Sequence, residues 1–193
     1  MFRGKKSVGA MRALAAGAVA AATCAAFAAS ASAAKTNTFN GSCDNVPVHA
    51  VWAHPLTFTP EQNSFDAIGN GGTCSGTLNG QQIDGLPVRA EFTPSGIQSC
   101  GGANVQGPFR AEIAGETFYF SNTSERRIVG NSVIIAQADG SGQMVATVSG
   151  DPDTAGEFVA ECSSTGATEA DVTVDHMSFM NVVSPAHESS RNK

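Results

Sequence analysis

Short runs of alternating apolar and polar residues, separated by glycine-rich turns, recur through most of this chain. The clearest pair of runs flanks Ala114-Gly115. Opposing the two runs across that turn places Phe109 opposite Phe120 and Ala111 opposite Phe118, so that one face of the pair is wholly apolar. This agreement predicts an antiparallel hairpin. Because alanine is a poor first residue for a two-residue turn, we also expect a one-residue bulge at the glycine.

The stretch Thr73–Phe92 contains two turn signals that compete. A two-residue turn at Asn79-Gly80 would pair Leu78 with Gln81, and Asp84-Gly85 would then interrupt the partner strand. Alternatively, one loop over 79–85 spans both signals and joins a strand over 73–78 to a strand over 86–92. The two interpretations give different strand registers, and the sequence does not choose between them.

Turn signals spaced eight to twelve residues apart, and no sustained helical periodicity after residue 33, predict an all-β fold. We expect a single domain over 46–183, an antiparallel β-sandwich or closed β-barrel of about 8–10 short strands. Residues 34–45 are predicted to be a polar N-terminal extension and 184–193 a disordered tail.

Three local features refine this prediction. Pro47 lies within the first alternating run, which favours an edge strand or a strand start. Residues 150–156 are predicted to form an acidic loop, followed by a strand over 157–163. In the last strand, 170–180, the alternation changes parity near Asp175-His176, which predicts a bulge there.

Residues 1–33 have the order of a secretory signal peptide. A basic start precedes an alanine-rich apolar run, and Ala31-Ser32-Ala33 is a small-residue cleavage site. A membrane-spanning helix is the alternative, but the apolar run is shorter than a typical span. Cys24 lies inside that run, so a lipoprotein anchor is a third possibility, which the residues before it do not favour. The long alanine-rich leader resembles those of small exported proteins of high-GC Gram-positive bacteria, and no motif of a named family is matched.

Removing residues 1–33 leaves 7 basic and 17 acidic side chains, a net charge of −10. A chain this acidic, without a basic stripe, is a poor candidate for binding nucleic acid. We therefore expect no nucleic-acid partner and no integral membrane segment in the mature chain. The predicted location is secreted or extracellular, or associated with the cell envelope.

The predicted mature chain has four cysteines, Cys43, Cys74, Cys100 and Cys162, and no C-x-x-C pair. An even number in an exported chain predicts two disulfides. Three pairings are possible, and we favour Cys43–Cys74 with Cys100–Cys162. Each bridge would close a long loop and stabilise the fold by about 2–4 kcal/mol.

The acidic segment 151–162 was compared with the calcium loop of helix–loop–helix proteins. It has aspartates at its first and third places, but Cys162 stands at the twelfth, where a bidentate glutamate belongs. That family is therefore excluded. A looser calcium site from Asp151, Asp153 and Glu157 stays as the metal hypothesis, against a simple solvated acidic turn.

Catalytic motifs are missing from the sequence, so no catalytic or cofactor-binding residue is assigned and no cofactor is expected. His49, His54 and His176 with nearby acids are the residues an enzyme would use. The function favoured by these observations is non-catalytic binding of a partner protein or a small apolar ligand. The alternatives are a secreted enzyme using the three histidines and a calcium-stabilised adhesive module. Convergence of two histidines beside a pocket would favour the enzyme.

Overall fold

The alternating runs form long β-strands in the computed structural model, which describes residues 35–128, 131–151 and 153–186. The predicted signal peptide, 1–33, and the end of the predicted tail, 187–193, lie outside the described residues. The elements in chain order are β1 (Thr36–Leu56), β2 (Glu61–Leu78), β3 (Gln81–Phe92), β4 (Ser95–Ser99), β5 (Gly102–Ile113), β6 (Glu116–Ile128), β7 (Asn131–Gln137), β8 (Ser141–Gly150), α1 (Ala155–Cys162) and β9 (Ala167–Pro185).

The strands pair in a closed antiparallel ring. Apart from β3 and β4, strands that follow one another in the sequence pair with each other, and β9 returns to pair with β1. Strands β3 and β4 both lie between β2 and β5, so they act as one strand interrupted at Thr93-Pro94. The all-β prediction is confirmed, and of the two architectures considered the structure is the closed barrel. Closure gives the long strands partners on both sides, which removes the exposed edges of an open sheet.

Alternation along each strand explains how the interior is filled. On β1, Val46, Ala50 and Trp52 point into the barrel and are buried, whereas Val51 between them is exposed. A period of two residues puts every second side chain inside a barrel wall.

The two hairpin turns have the same form. At Asn79-Gly80 and at Ala114-Gly115 both turn residues have positive φ, as a two-residue hairpin turn requires. Leu78 pairs with Gln81, which confirms the first of the two interpretations of 73–92, and the register shifts further along, near Cys74.

The pairing of Phe109 with Phe120 and of Ala111 with Phe118 is also confirmed. The bulge expected at Gly115 was wrong. Ala114 adopts φ of 52° and so completes a two-residue turn. A left-handed alanine costs about 1–2 kcal/mol, which the long hairpin on either side offsets.

Three other predictions need correction. The extension predicted over 34–45 is part of the barrel from Thr36 onward, because β1 begins there and Phe39 is 1% exposed in the core. Pro47 is not on an edge strand: it pairs with Thr173 of β9 and lies in a gap of the β1–β2 ladder, between Asp44 and Val48. At the other terminus, β9 continues to Pro185, past the predicted start of the tail.

The strand predicted over 157–163 was wrong, and the loop predicted before it ends at Thr154. Residues Ala155–Cys162 form the helix α1. Phe158 and Cys162 are four residues apart, so they share one helical face, and they are the more buried side chains of the helix. By contrast, the bulge expected near Asp175-His176 is confirmed, because Thr147 pairs with His176 and Val148 with Val174.

Both predicted disulfides are confirmed. Cys43–Cys74 joins directly opposed residues of β1 and β2, and both cysteines are fully buried. Cys100–Cys162 joins the end of α1 to the short turn between β4 and β5. The second bridge therefore fastens the helix to the barrel.

Candidate functional site

The barrel has two unlike ends. At one, the turns at Asn79-Gly80 and Ala114-Gly115 lie over the fully buried rings of Phe39 and Phe118. At the other, named here the helix end, β8 leads into α1 before β9 begins. A continuous series of ring contacts runs between the two ends, through Phe118, Phe39, Phe179, Phe120, Phe109, Phe92, Phe65, Trp52 and Phe158. The interior is therefore packed with aromatic side chains up to the helix.

An inner cavity of about 50 Å³ lies in the barrel below the helix end. Small side chains leave this space, among them Ala50, Ala67, Gly69, Ala90 and Ala146. The volume holds a water molecule or two and excludes an organic ligand of ordinary size.

Two charged side chains of β6 line the inner cavity, Glu125 and Arg127. An Arg127 Nη2 lies 3.4 Å from a carboxylate oxygen of Glu125, and the two side chains are 14% and 4% exposed. Arg127 Nε also donates a hydrogen bond to the Ser132 hydroxyl at 3.3 Å. A carboxylate this buried needs a positively charged partner to stay ionised, and Arg127 is that partner.

Trp52 connects this charge pair to the helix. The Arg127 guanidinium lies 5.8 Å from the centre of the Trp52 ring, and the ring of Phe158 lies 6.0 Å from it. The indole N–H donates to the Gln98 side-chain oxygen at 2.8 Å. Gln98 is 1% exposed, and its Nε2 finds no hydrogen-bond acceptor among the described residues. The ring is therefore fixed by contacts on several sides.

A cleft of about 440 Å³ lies between α1 and the helix end of the barrel, which we name the helix-end cleft. Its apolar walls include Trp52, Phe58, Phe158, Val159 and Val172. Phe58 and Val159 are about half exposed, at 53% and 54%. Arg127 and Val172 line both this cleft and the inner cavity, so the two spaces adjoin. The volume is in the range that holds small organic ligands.

Acidic side chains surround the same cleft: Asp151, Glu157, Glu161, Glu169 and Asp171. His49 lies beside two of them, with Nδ1 2.9 Å from Asp171 and Nε2 3.7 Å from Glu169. Within the described part of the chain, Arg127 is the one lysine or arginine that lines the cleft. The field in the cleft is therefore negative.

The structure does not bring the three predicted histidines together. His49 pairs with Asp171, and His176 pairs with Asp44 at 2.5 Å, both across the β1–β9 ladder. On β9, His176 is five residues from Asp171, the partner of His49, which is about 16 Å along a strand. His54 is exposed, and its backbone bonds to the buried Asn63 side chain. The convergence that would favour the enzyme is not seen among these residues.

The candidate calcium ligands do not converge either. Asp151 accepts a hydrogen bond from the Asp153 backbone N–H at 2.8 Å, which fixes a local turn before α1. Among residues 35–128, 131–151 and 153–186, no group of three histidine, cysteine or acidic side chains is placed to hold a metal ion. Asp151 and Glu157 instead line the helix-end cleft.

Comparisons with protein-family models, curated proteins and solved structures found no match to this chain. In the described ranges, no helix is both long enough and apolar enough to cross a membrane.

The sequence did not point to Glu125 and Arg127 as site residues, because the whole segment 121–127 is polar. The inward positions of β6 change from even numbers, at Phe118 and Phe120, to odd numbers from Thr123 onward. The change of parity hides the alternation that would have marked both charged residues as inward-facing. A search for alternation on either side of a one-residue shift could have found them.

Proposed function

We propose that this protein binds a small organic molecule in the helix-end cleft. The observation that carries the proposal is a cleft of about 440 Å³ with half-exposed aromatic and aliphatic walls, at the end of a barrel whose other end is packed. Apolar side chains left open to solvent in a concave site favour a ligand with an apolar body. Binding is the function, and no catalytic role is assigned.

Rigidity of the walls supports a binding site. Trp52 is held by Gln98, Arg127 and Phe158, and α1 is held to the barrel by the Cys100–Cys162 disulfide. A preformed site loses little conformational entropy on binding, so more of the contact energy appears as affinity.

The neutral fluorescent probe N-phenyl-1-naphthylamine tests the proposal. We expect saturable binding of one molecule per chain, with a change in the emission of Trp52, the one tryptophan of the chain. Ala170→Phe should fill the cleft, which Ala170 lines, and weaken binding at least tenfold. Ile135→Phe, on the exposed outer face of β7, is the matched control. Equal binding by wild type and Ala170→Phe would place the ligand elsewhere and refute the proposal.

We also propose that the protein acts outside the cytoplasm. Two disulfides suit an oxidising compartment, and the sequence carries a predicted cleavage site after Ala33. The test is N-terminal sequencing of the protein recovered from a secreting host, which should give a chain that begins at Ala34. A recovered chain that still begins at Met1 would contradict the predicted processing.

A further inference from the structure

We propose that the ligand of the helix-end cleft is an organic cation, with an apolar or aromatic body and a positively charged nitrogen. This inference rests on the proposed function and names the chemical class of the ligand. Two independent features of the cleft support it: the distribution of charge on its rim and the aromatic composition of its wall.

The rim of the cleft has more negative charge than its own cation can balance. Five acidic side chains line it. Arg127 is 14% exposed and is already paired with the buried Glu125. His49 lies beside Asp171 and Glu169, at the β9 side. The other three acids, Asp151, Glu157 and Glu161, therefore line the cleft without a basic partner among the described lining residues.

Helix α1 carries two of these acids in an unfavourable arrangement. Glu157 and Glu161 are four residues apart, so they lie next to each other on one face of the helix. Glu161 is in the last turn, where negative charge opposes the helix dipole, and that turn has no basic residue. A bound cation beside this pair would relieve both repulsions.

The wall beneath this rim suits the same ligand. The rings of Trp52, Phe58 and Phe158 line the cleft. Aromatic faces attract cations as well as apolar groups, and an aromatic surface flanked by carboxylates is a favourable environment for ammonium ligands. An anionic ligand would meet the carboxylates at short range and is excluded by repulsion.

Three probes with one body and different charges test the class: 4-phenylbutyltrimethylammonium, 4-phenylbutanol and 4-phenylbutyrate. We expect the cation to bind at least tenfold more tightly than the alcohol, and the carboxylate to bind most weakly. Isothermal titration calorimetry on the full chain gives the affinities. The preference for the cation should shrink in 1 M NaCl, because salt screens exposed charges.

Glu157→Gln/Glu161→Gln should weaken binding of the cation about tenfold, since two carboxylates near the ligand are neutralised, and should leave the alcohol unchanged. Glu61→Gln/Asp66→Asn makes the same change of net charge on β2, away from the cleft lining, and should have little effect. Equal affinity for all three probes, or preference for the carboxylate, would overturn the cation assignment while leaving the cleft a binding site. Failure of the cation to bind where N-phenyl-1-naphthylamine does bind would also overturn it. Failure of the neutral naphthyl probe as well would refute the proposed function itself.

Discussion

Replacing Arg127 with methionine should destabilise the barrel strongly, because it removes the partner of a buried charge. Glu125 is 4% exposed and lines the inner cavity, and Arg127 supplies the positive charge beside it. Methionine keeps most of the length and apolar contact of the arginine stem. The change therefore tests the charge more than the packing.

The expected loss follows from the burial of the pair. Removing one partner of a buried ion pair costs about 3–5 kcal/mol, and we expect about 3 kcal/mol here because Arg127 keeps 14% exposure. Loss of the contact with the Trp52 ring adds about 0.5–1 kcal/mol. For a domain of this size, 3 kcal/mol corresponds to a fall in Tm of about 6–12 °C.

The double variant Glu125→Gln/Arg127→Met separates the charge from the packing. If the cost of the single change is the unpaired carboxylate, neutralising Glu125 as well should bring stability back to within about 1 kcal/mol of the wild type. Urea unfolding followed by far-ultraviolet circular dichroism is the suitable assay, because fluorescence of Trp52 responds directly to the loss of Arg127. A double variant as unstable as the sum of its two single variants would refute this account of the pair.

Three further changes test the fold. Cys100→Ser/Cys162→Ser should increase amide hydrogen exchange in α1 before the rest of the barrel. It should also lower the free energy of unfolding by up to about 4 kcal/mol, because the bridge no longer restricts a loop of 62 residues in the unfolded chain. Unchanged exchange in α1 would show that the bridge does not hold the helix. Gly76→Ala should cost about 3 kcal/mol in chemical denaturation, because its Cβ would lie 2.4 Å from a backbone oxygen. The control Gly80→Ala, with no atom within 4 Å of the added Cβ, should cost only about 1–2 kcal/mol. Equal losses of stability in the two variants would argue against the close approach at Gly76. Phe118→Ala should cost about 3–5 kcal/mol in the same assay, because the ring is fully buried. A loss below 1 kcal/mol would contradict the packing at the barrel end opposite α1.

Much of the barrel could be predicted because its strands carry short-range signals. The pairing of Phe109 with Phe120 follows from one turn and from alternation on either side, and an even cysteine count predicts that there are two disulfides. Ring closure could not be predicted, since the pairing of β1 with β9 joins residues 111 or more positions apart, as Leu56 and Ala167 are. Alternation says which face is apolar and does not say whether that face lines a barrel or a sandwich.

The candidate site was less predictable, because its parts depart from the regular pattern. Glu125 and Arg127 follow a change of parity in β6 and are polar at inward positions, so their burial has no local signal. The helix α1 is eight residues long, too short for its period to stand out, and Phe158 also fits an alternating strand. Locally inconsistent segments are where functional sites are expected, since a site must break the rules that make a core.

Packing of the barrel interior also decides where a ligand can bind. A barrel predicted from sequence suggests a cavity along its axis, as an apolar ligand would need. Here the aromatic series from Phe118 to Trp52 packs through the interior, and the inner cavity beside the charge pair holds about 50 Å³. The helix-end cleft, between α1 and the barrel, is the larger of these two spaces, at about 440 Å³. Ligand selectivity should therefore follow the side chains of this helix and of the β9 strand facing it, more than those of the barrel core.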